Sequence, residues 1–147
     1  ADFHTNTLET IKKEYVDTGK VRFVFRDFPW NYPALLASMV LQCVPDDERY
    51  TYMNDLFTLQ SDWATRENPK TTKELFKIMQ SGGMTKEEFN SCIHNVDLEN
   101  EILQGRIDAQ NEFNIKSTPS FLVNGMLLEG NKSIKEFRQI IDKILSQ

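Results

Sequence analysis

Cysteine is scarce in this sequence, which contains only Cys43 and Cys92 among its 147 residues. The two lie far apart, so they do not form a Cys-x-x-Cys unit. Basic residues are also in the minority, with 17 lysines and arginines against 22 acidic residues and a net charge of −5. Because no basic stripe is present, we do not expect nucleic acid as a partner.

Long apolar runs are missing as well. No stretch approaches the roughly 18 apolar residues that a membrane-spanning helix needs. The sequence shows neither an initiator methionine nor a signal peptide, and it opens with Ala1-Asp2-Phe3-His4 in mid-pattern, so we expect a segment to precede it. Length and composition, with 39% apolar and 27% charged residues, suit one soluble globular domain with a sizeable core.

The stretch from Lys116 to Gly130 carries the clearest local signal. Residues 120–123 and 126–129 predict two strands, and the Asn-Gly pair between them is the strongest signal for a two-residue hairpin turn. Pro119 stands at the strand entry, where proline removes no ladder hydrogen bond. The Thr118–Pro119 bond is either trans, as in an ordinary hairpin, or cis, which would leave the Thr118 backbone free to pair with an extended peptide.

Most of the remaining chain has helical periodicity. We predict helices over residues 1–18, 34–43, 48–63 and 97–113, with Gly19 as the C-cap of the first. Capping-box patterns predict further helix starts at Thr71, Thr85 and Ser133. One more strand is predicted over Val21–Phe28, where apolar residues alternate with mixed ones. The order of helix, strand, helical block, hairpin and helix predicts an α/β fold with a helical insertion.

Several motifs point to one family. They are Arg26-Asp27-Phe28-Pro29 after the first helix, Cys43 and Trp63 in the helical block, and Thr118-Pro119-Ser120-Phe121 with the hairpin that follows. Together they resemble the DsbA-like branch of the thioredoxin superfamily, closest to its α-proteobacterial periplasmic type, over the whole chain. The resemblance implies a single thioredoxin-like domain over 1–147, with a mostly helical insertion over 33–113 between the second strand and a cis-proline hairpin.

One departure from the family pattern concerns the redox chemistry. Family members carry a strand and a Cys-x-x-Cys ahead of the residues that match Phe3 and His4. The resemblance therefore implies that the first strand is missing here, that the dithiol is expected just before Ala1, and that this chain holds no catalytic residue. The intact protein is expected to introduce disulfides into exported proteins, whereas the 147 residues alone are predicted to be inactive, since exchange needs a low-pKa thiolate.

The resemblance also assigns the remaining site residues and partners. Thr118 and Pro119 form the substrate-binding loop, on which an extended thiol-containing protein would lie. His4 is a candidate modulator of the missing dithiol, although a solvated or partly buried helix histidine is an equal alternative. The family implies a periplasmic location and a membrane partner that re-oxidises the enzyme, and we expect no cofactor and no metal.

Cys43 and Cys92 have three interpretations. They are free buried thiols, or ligands of a metal that only His4 and His94 could complete, or a structural disulfide. The even count and an oxidising compartment favour the disulfide, and the second cysteine pair of α-proteobacterial members is similar. Closing a loop of about fifty residues would stabilise the fold by about 4 kcal/mol.

Two rival functions remain. A kappa-type glutathione-linked transferase or isomerase shares the core and insertion but uses a serine in place of the dithiol. A non-catalytic peptide-binding or chaperone-like module would keep only the cis-proline loop. The residues encoded just upstream of Ala1 discriminate among the three, since they would be Cys-x-x-Cys, a serine, or neither.

The missing strand has a consequence for the sheet. In the family it lies between the strand at Val21–Phe28 and the strand at Ser120–Val123, and both neighbours would otherwise keep unpaired ladder groups. Each buried unsatisfied group costs about 1–3 kcal/mol. We therefore expect the isolated chain to be unstable or to form a strand-swapped dimer.

Overall fold

The computed structural model describes residues 2–147, and these divide into two compact units. Unit 1 combines residues 2–26 with residues 109–147, and unit 2 is the continuous stretch Asp27–Asp108. The helical unit therefore has bounds that differ from the predicted 33–113. That these residues are an insertion within one domain stays a prediction.

The first helix, α1, belongs to unit 1 and comprises Phe3–Leu8, Glu9–Ile11 and Lys12–Val16. Its two ends have π-helical winding, which the periodicity did not predict. Gly19 follows with φ of +73°, and the N–H of Lys20 donates to the Tyr15 carbonyl at 2.9 Å. This glycine ends the helix as predicted, because a left-handed residue satisfies the last carbonyls.

The predicted strand over Val21–Phe28 is wrong. Among the described residues the only sheet is two-stranded and formed elsewhere, and residues 21–28 have no ladder. Their alternation is visible in the exposure of Arg22 against the half-buried Val21 and Phe23. Alternation favours extended backbone, but a strand also needs a neighbour to pair with.

The remaining elements of unit 1 are the hairpin and the last helix. Strand β1 (Ser120–Val123) pairs antiparallel with β2 (Met126–Glu129) around the predicted Asn-Gly turn. Both turn residues have positive φ, 46° for Asn124 and 85° for Gly125, as a type I′ turn requires. The last helix, numbered α8 below, starts with the predicted capping box of Ser133 and Glu136.

Unit 2 is helical. Its helices are α2 (Tyr32–Gln42), α3 (Arg49–Thr58), α4 (Gln60–Trp63), α5 (Asn68–Ser81) and α6 (Lys86–Ile93), and α7 (Val96–Phe113) continues from it into unit 1, where α8 spans Ile134–Leu145. The predicted helix 48–63 is interrupted at Leu59. The capping box of Thr85 and Glu88 starts α6 as predicted.

The capping box predicted at Thr71 is wrong. Helix α5 already begins at Asn68, and Thr71 lies inside it with no exposed surface. Its hydroxyl lies 3.1 Å from the Thr65 hydroxyl, in the preceding loop. The Thr-x-x-Glu spacing is therefore coincidental, because a proline at Pro69 sets the start of the helix earlier.

The buried cluster that forms the core of unit 2 consists of residues between positions 27 and 108. Its buried members come from every helix of the unit: Leu35, Leu36, Ala37, Met39, Val40, Val44, Tyr52, Leu56, Trp63, Leu75, Ile78, Met79, Met84, Phe89, Cys92 and Ile102. A membrane-crossing helix would need a longer and more apolar segment than any helix in residues 2–147 provides.

Candidate functional site

The predicted substrate loop lies at the entry to the hairpin. The Thr118–Pro119 peptide bond is cis, the form that the resemblance implies. The Pro119 carbonyl accepts a hydrogen bond from the Gly130 N–H at 2.9 Å, and the Ser120 hydroxyl donates to the Ser117 carbonyl at 2.7 Å. Pro119 is half-buried while Thr118 is exposed. The loop is thus fixed from within and leaves Thr118 accessible.

The register of the hairpin fixes which backbone groups remain available. Because Pro119 pairs with Gly130 through a hydrogen bond, the alternate residues Phe121 and Val123 also direct their backbone groups towards β2. Ser120 and Leu122 consequently direct theirs to the opposite edge. No backbone partner for those two residues lies within residues 2–147. An edge with unpaired N–H and C=O groups is a template for a further extended segment.

An aromatic cluster packs the hairpin against the helices α1 and α8 of unit 1. The ring centroid of Phe3 in α1 lies 4.5 Å from that of Phe121 in β1 and 5.6 Å from that of Phe137 in α8. Phe121 and Phe137 meet edge to face at 4.9 Å, an arrangement favoured by their ring quadrupoles. The Phe23 ring, in the extended segment, lies 6.3 Å from Phe3. One phenylalanine of α1 therefore connects both extended segments of unit 1.

His4 lies next to Phe3 in the π-wound start of α1. It is buried, with 4% of its surface exposed, so the solvated form of the plain helix histidine is wrong, and burial within the helix remains as the alternative to the modulator role. Its role as a modulator stays a prediction.

Two polar contacts of unit 1 join α1 to α8, and sequence reasoning missed both. Tyr15, which is 5% exposed, donates a hydrogen bond to the Asp142 carboxylate at 2.8 Å. Burial, followed by this bond to an acceptor, raises the pKa of Tyr15 to about 12. Arg138 forms a bidentate ion pair with Glu14, whose pKa is lowered chiefly by the hydrogen bond from the guanidinium. Partners more than 120 positions apart leave no local signal in a sequence.

Both cysteines are consumed in a disulfide within unit 2. The sulfur atoms of Cys43 and Cys92 are 1.95 Å apart and the Cα atoms 6.3 Å apart, so the disulfide interpretation is confirmed. His94, one of the two histidines that could have completed a metal site, lies on the surface with Nδ1 2.8 Å from the Asn90 carbonyl oxygen. Residues 2–147 therefore contain no free thiol that could attack a substrate.

Comparison with known proteins agrees with this geometry. A family model described as Thioredoxin matches residues 1–143. A Rickettsia conorii protein named as a protein-disulfide oxidoreductase is 30% identical over all of this chain, which covers 52% of that protein. A Bacillus cereus protein named for disulfide bond formation is 26% identical over 95% of the chain and 65% of its own length.

A solved structure of a DsbA protein is also similar to this chain. The crystal structure of Wolbachia pipientis alpha-DsbA1 superposes with a TM-score of 0.85 at 29% identity, covering 98% of this chain and 78% of that one. The chain spans about half the length of its Rickettsia relatives. Activity, substrates and partners of the whole protein are therefore matters for proposal.

Proposed function

Because this chain belongs to the thioredoxin family and is a DsbA-like member of it, we propose that the protein is a thiol:disulfide oxidoreductase that introduces disulfides into exported proteins. The redox dithiol would lie in a segment ahead of Ala1. The chemistry is thiolate attack on a disulfide sulfur through a mixed disulfide, so the reactive cysteines must be accessible and acidic. A periplasmic location and a membrane partner that re-oxidises the dithiol are parts of the same proposal.

The cis-proline loop carries this proposal. Thr118 is exposed and directly precedes the cis bond to Pro119, so its backbone groups can pair with an extended peptide, whereas the outer edge of β1 is the edge that the leading strand of the family would fill. Pairing through backbone groups binds unfolded chains with little regard to their sequence, because every peptide carries the same donors and acceptors. A catalyst that acts on many exported proteins needs that tolerance.

Oxidation of a two-cysteine peptide tests the assignment. We expect the 147 residues alone to match the uncatalysed rate and the protein extended by its upstream-encoded residues to exceed it clearly. If the 147 residues by themselves oxidise more than one equivalent of peptide per chain, Cys43 and Cys92 turn over as a catalytic pair and the site is misassigned. If the extended protein has no dithiol and no activity, the oxidoreductase proposal is lost.

A Thr118→Pro substitution tests the binding loop in the extended protein. It removes the backbone N–H of Thr118, which has no backbone partner within residues 2–147, so the hairpin ladder keeps its hydrogen bonds. We expect a several-fold higher KM for peptide oxidation with a nearly unchanged kcat. Leu128→Pro, which removes a ladder donor, is the matched control that should destabilise the hairpin itself. An unchanged KM in a folded Thr118→Pro variant would contradict substrate pairing at this loop.

One observation favours a second function. Residues 2–147 present the cis-proline loop without any free thiol, which is the arrangement of a non-catalytic peptide-binding module. Such a protein would bind extended peptides with the same Thr118→Pro sensitivity and no turnover. A serine ahead of Ala1 would instead indicate the kappa-type glutathione-linked enzyme.

We also infer that the 147-residue chain associates with itself when isolated. Residues 22–26 and the outer edge of β1 both lack backbone partners within the described chain, and Phe25 is 44% exposed beside them. Unpaired edges of this kind are relieved by strand exchange between copies. Light scattering after size-exclusion chromatography should show a dimer or larger species, whereas a monomer that melts cooperatively at an ordinary temperature would refute the inference.

A further inference from the structure

The disulfide of unit 2 is asymmetric in its access to solvent. Cys43, at the end of α2, is exposed, whereas Cys92 in α6 keeps only 3% of its surface exposed. A shallow cleft opens onto the pair and is lined by Cys43, Glu87, Glu88, Ser91, Cys92 and Asn95. An attacking thiolate must approach one sulfur in line with the S–S bond, so the exposed residue, Cys43, offers the readier approach.

The buried sulfur already lies against an acceptor. Cys92 Sγ is 3.0 Å from the carbonyl oxygen of Met39, in the last turn of α2. The N–H of Cys43 bonds instead to the Val40 carbonyl at 3.2 Å, so it does not occupy the Met39 oxygen. In the disulfide the sulfur carries no hydrogen, but a reduced Cys92 could donate its S–H to that oxygen. The buried thiol would therefore not be left without a partner, which lowers the cost of releasing it.

The cleft is electrostatically one-sided. Two of its lining residues, Glu87 and Glu88, are acidic, and no lysine or arginine lines it. Hydrogen bonds from the Thr85 backbone and hydroxyl lower the pKa of Glu88, so it remains a carboxylate at neutral pH. The negative charges of Glu87 and Glu88 repel an anionic thiol that enters the cleft, and the repulsion is stronger at low ionic strength.

We propose that the Cys43–Cys92 disulfide is a site of thiol exchange that external thiols attack at the Cys43 sulfur, with small neutral or cationic thiols favoured over anionic ones. The thiolate forms a new S–S bond to Cys43 as the bond to Cys92 breaks. Cys92 leaves with the electron pair of that bond and takes one proton from water. One disulfide replaces another, so this step needs no separate oxidant or reductant. This disulfide belongs to unit 2, whereas the cis-proline loop belongs to unit 1, and the inference goes beyond the proposed function.

Mapping the first adduct tests the position of attack. The folded protein is treated briefly with limiting cysteamine, quenched in acid, alkylated and digested. We expect cysteamine on Cys43 and the alkylating group on Cys92, with the reverse pattern at least about a hundredfold rarer because it requires local opening of α6. Equal labelling of the two cysteines would overturn the proposal, and so would the absence of any mixed disulfide short of unfolding.

Charged reagents test the preference for the thiol. In a Cys92→Ala variant the free Cys43 is treated with cationic and with anionic methanethiosulfonates, and the rate ratio is compared with that of free cysteine. We expect the cation to be favoured several-fold, and Glu87→Gln to reduce the ratio by about twofold. Glu88 is kept because it caps α6. Glu101→Gln, outside the cleft, is the control and should leave the ratio unchanged.

A second measurement covers the case in which Cys92→Ala does not fold. Wild-type protein is reduced with cysteamine, 2-mercaptoethanol and 2-mercaptoethanesulfonate, and each rate is expressed per thiolate and corrected for nucleophilicity. The order cationic, neutral, anionic is expected. A ratio equal to that of a small model disulfide would refute the charge preference.

Discussion

Unit 2 and unit 1 solve the problem of stability in different ways. Unit 2 is one continuous segment with its own apolar core, and a disulfide links two of its helices. Unit 1 is assembled from two segments and relies on an aromatic cluster around Phe3 and on polar contacts between α1 and α8. Its extended residues keep open backbone edges. The comparison shows that the proposed peptide site lies in the unit whose backbone N–H and C=O groups have fewer hydrogen-bond partners within the described chain.

Dividing the chain should give the largest effect. Residues 27–108 expressed alone are expected to unfold cooperatively on heating, because every member of their buried core cluster lies within that stretch. Residues 2–26 and 109–147 joined by a flexible linker should show no cooperative transition, since about sixty residues with open edges bury too little apolar surface. Circular dichroism melts of both pieces measure this. A cooperative transition in the second piece, or none in the first, would reverse the comparison.

Removing the disulfide should have the next largest effect. Cys43 and Cys92 are 49 positions apart, so the Cys43→Ala/Cys92→Ala variant is expected to lose about 4 kcal/mol in the free energy of unfolding. Urea unfolding of wild type and variant gives the number. A loss below about 1 kcal/mol would mean that the core holds these helices without the cross-link.

Tyr15→Phe weakens unit 1 at a contact that unit 2 does not share. Losing a hydrogen bond to a charged acceptor is expected to cost about 1.5–3 kcal/mol. The pKa of Tyr15 is near 12 in the folded protein and near 10 when unfolded, so its stabilisation is complete below about pH 10 and is lost as the pH rises towards 12.

Urea midpoints measured from pH 8 to 12 test this contact. Wild type should lose stability above pH 10 and Tyr15→Phe should lose less. Parallel curves would show that Tyr15 does not titrate in this way. At pH 8, Tyr52→Phe in the core of unit 2 controls for removal of a buried tyrosine hydroxyl; above pH 10 it is no neutral control, because burial raises the pKa of Tyr52 as well.

The smallest effects come from the two matched capping boxes. Thr85→Ala removes the cap of α6 in unit 2, and Ser133→Ala removes the cap of α8 in unit 1. Each should cost about 1 kcal/mol. If unit 1 is the weaker unit, hydrogen exchange should rise throughout unit 1 for Ser133→Ala but only near α6 for Thr85→Ala. Identical local responses would mean that the two units are equally cooperative.

What the sequence predicted correctly depends on near neighbours. The Asn124-Gly125 turn, the Gly19 helix end and the caps at Thr85 and Ser133 each involve residues within about five positions. The failures depend on distant partners. Val21–Phe28 alternates like a strand yet has no neighbour, and Thr71 has the pattern of a cap yet is buried by residues outside its own turn.

The site was predictable to the same extent. The hairpin around Thr118 and Pro119 is local, and resemblance supplied its cis bond and the cysteine pairing. The contact of Tyr15 with Asp142 joins positions 127 residues apart and could not be read from either one. The burial of His4 likewise depends on packing that helical periodicity does not specify.

The discontinuity of unit 1 also sets the order in which a ribosome can deliver the parts of the fold. Residues 27–108 emerge as a complete set, whereas Phe3 must wait for Phe121 and Phe137, which are made last. At about 5–20 residues per second, that wait is on the order of ten seconds. For that interval the α1 segment is an exposed apolar helix on a nascent chain, within reach of chaperones and proteases.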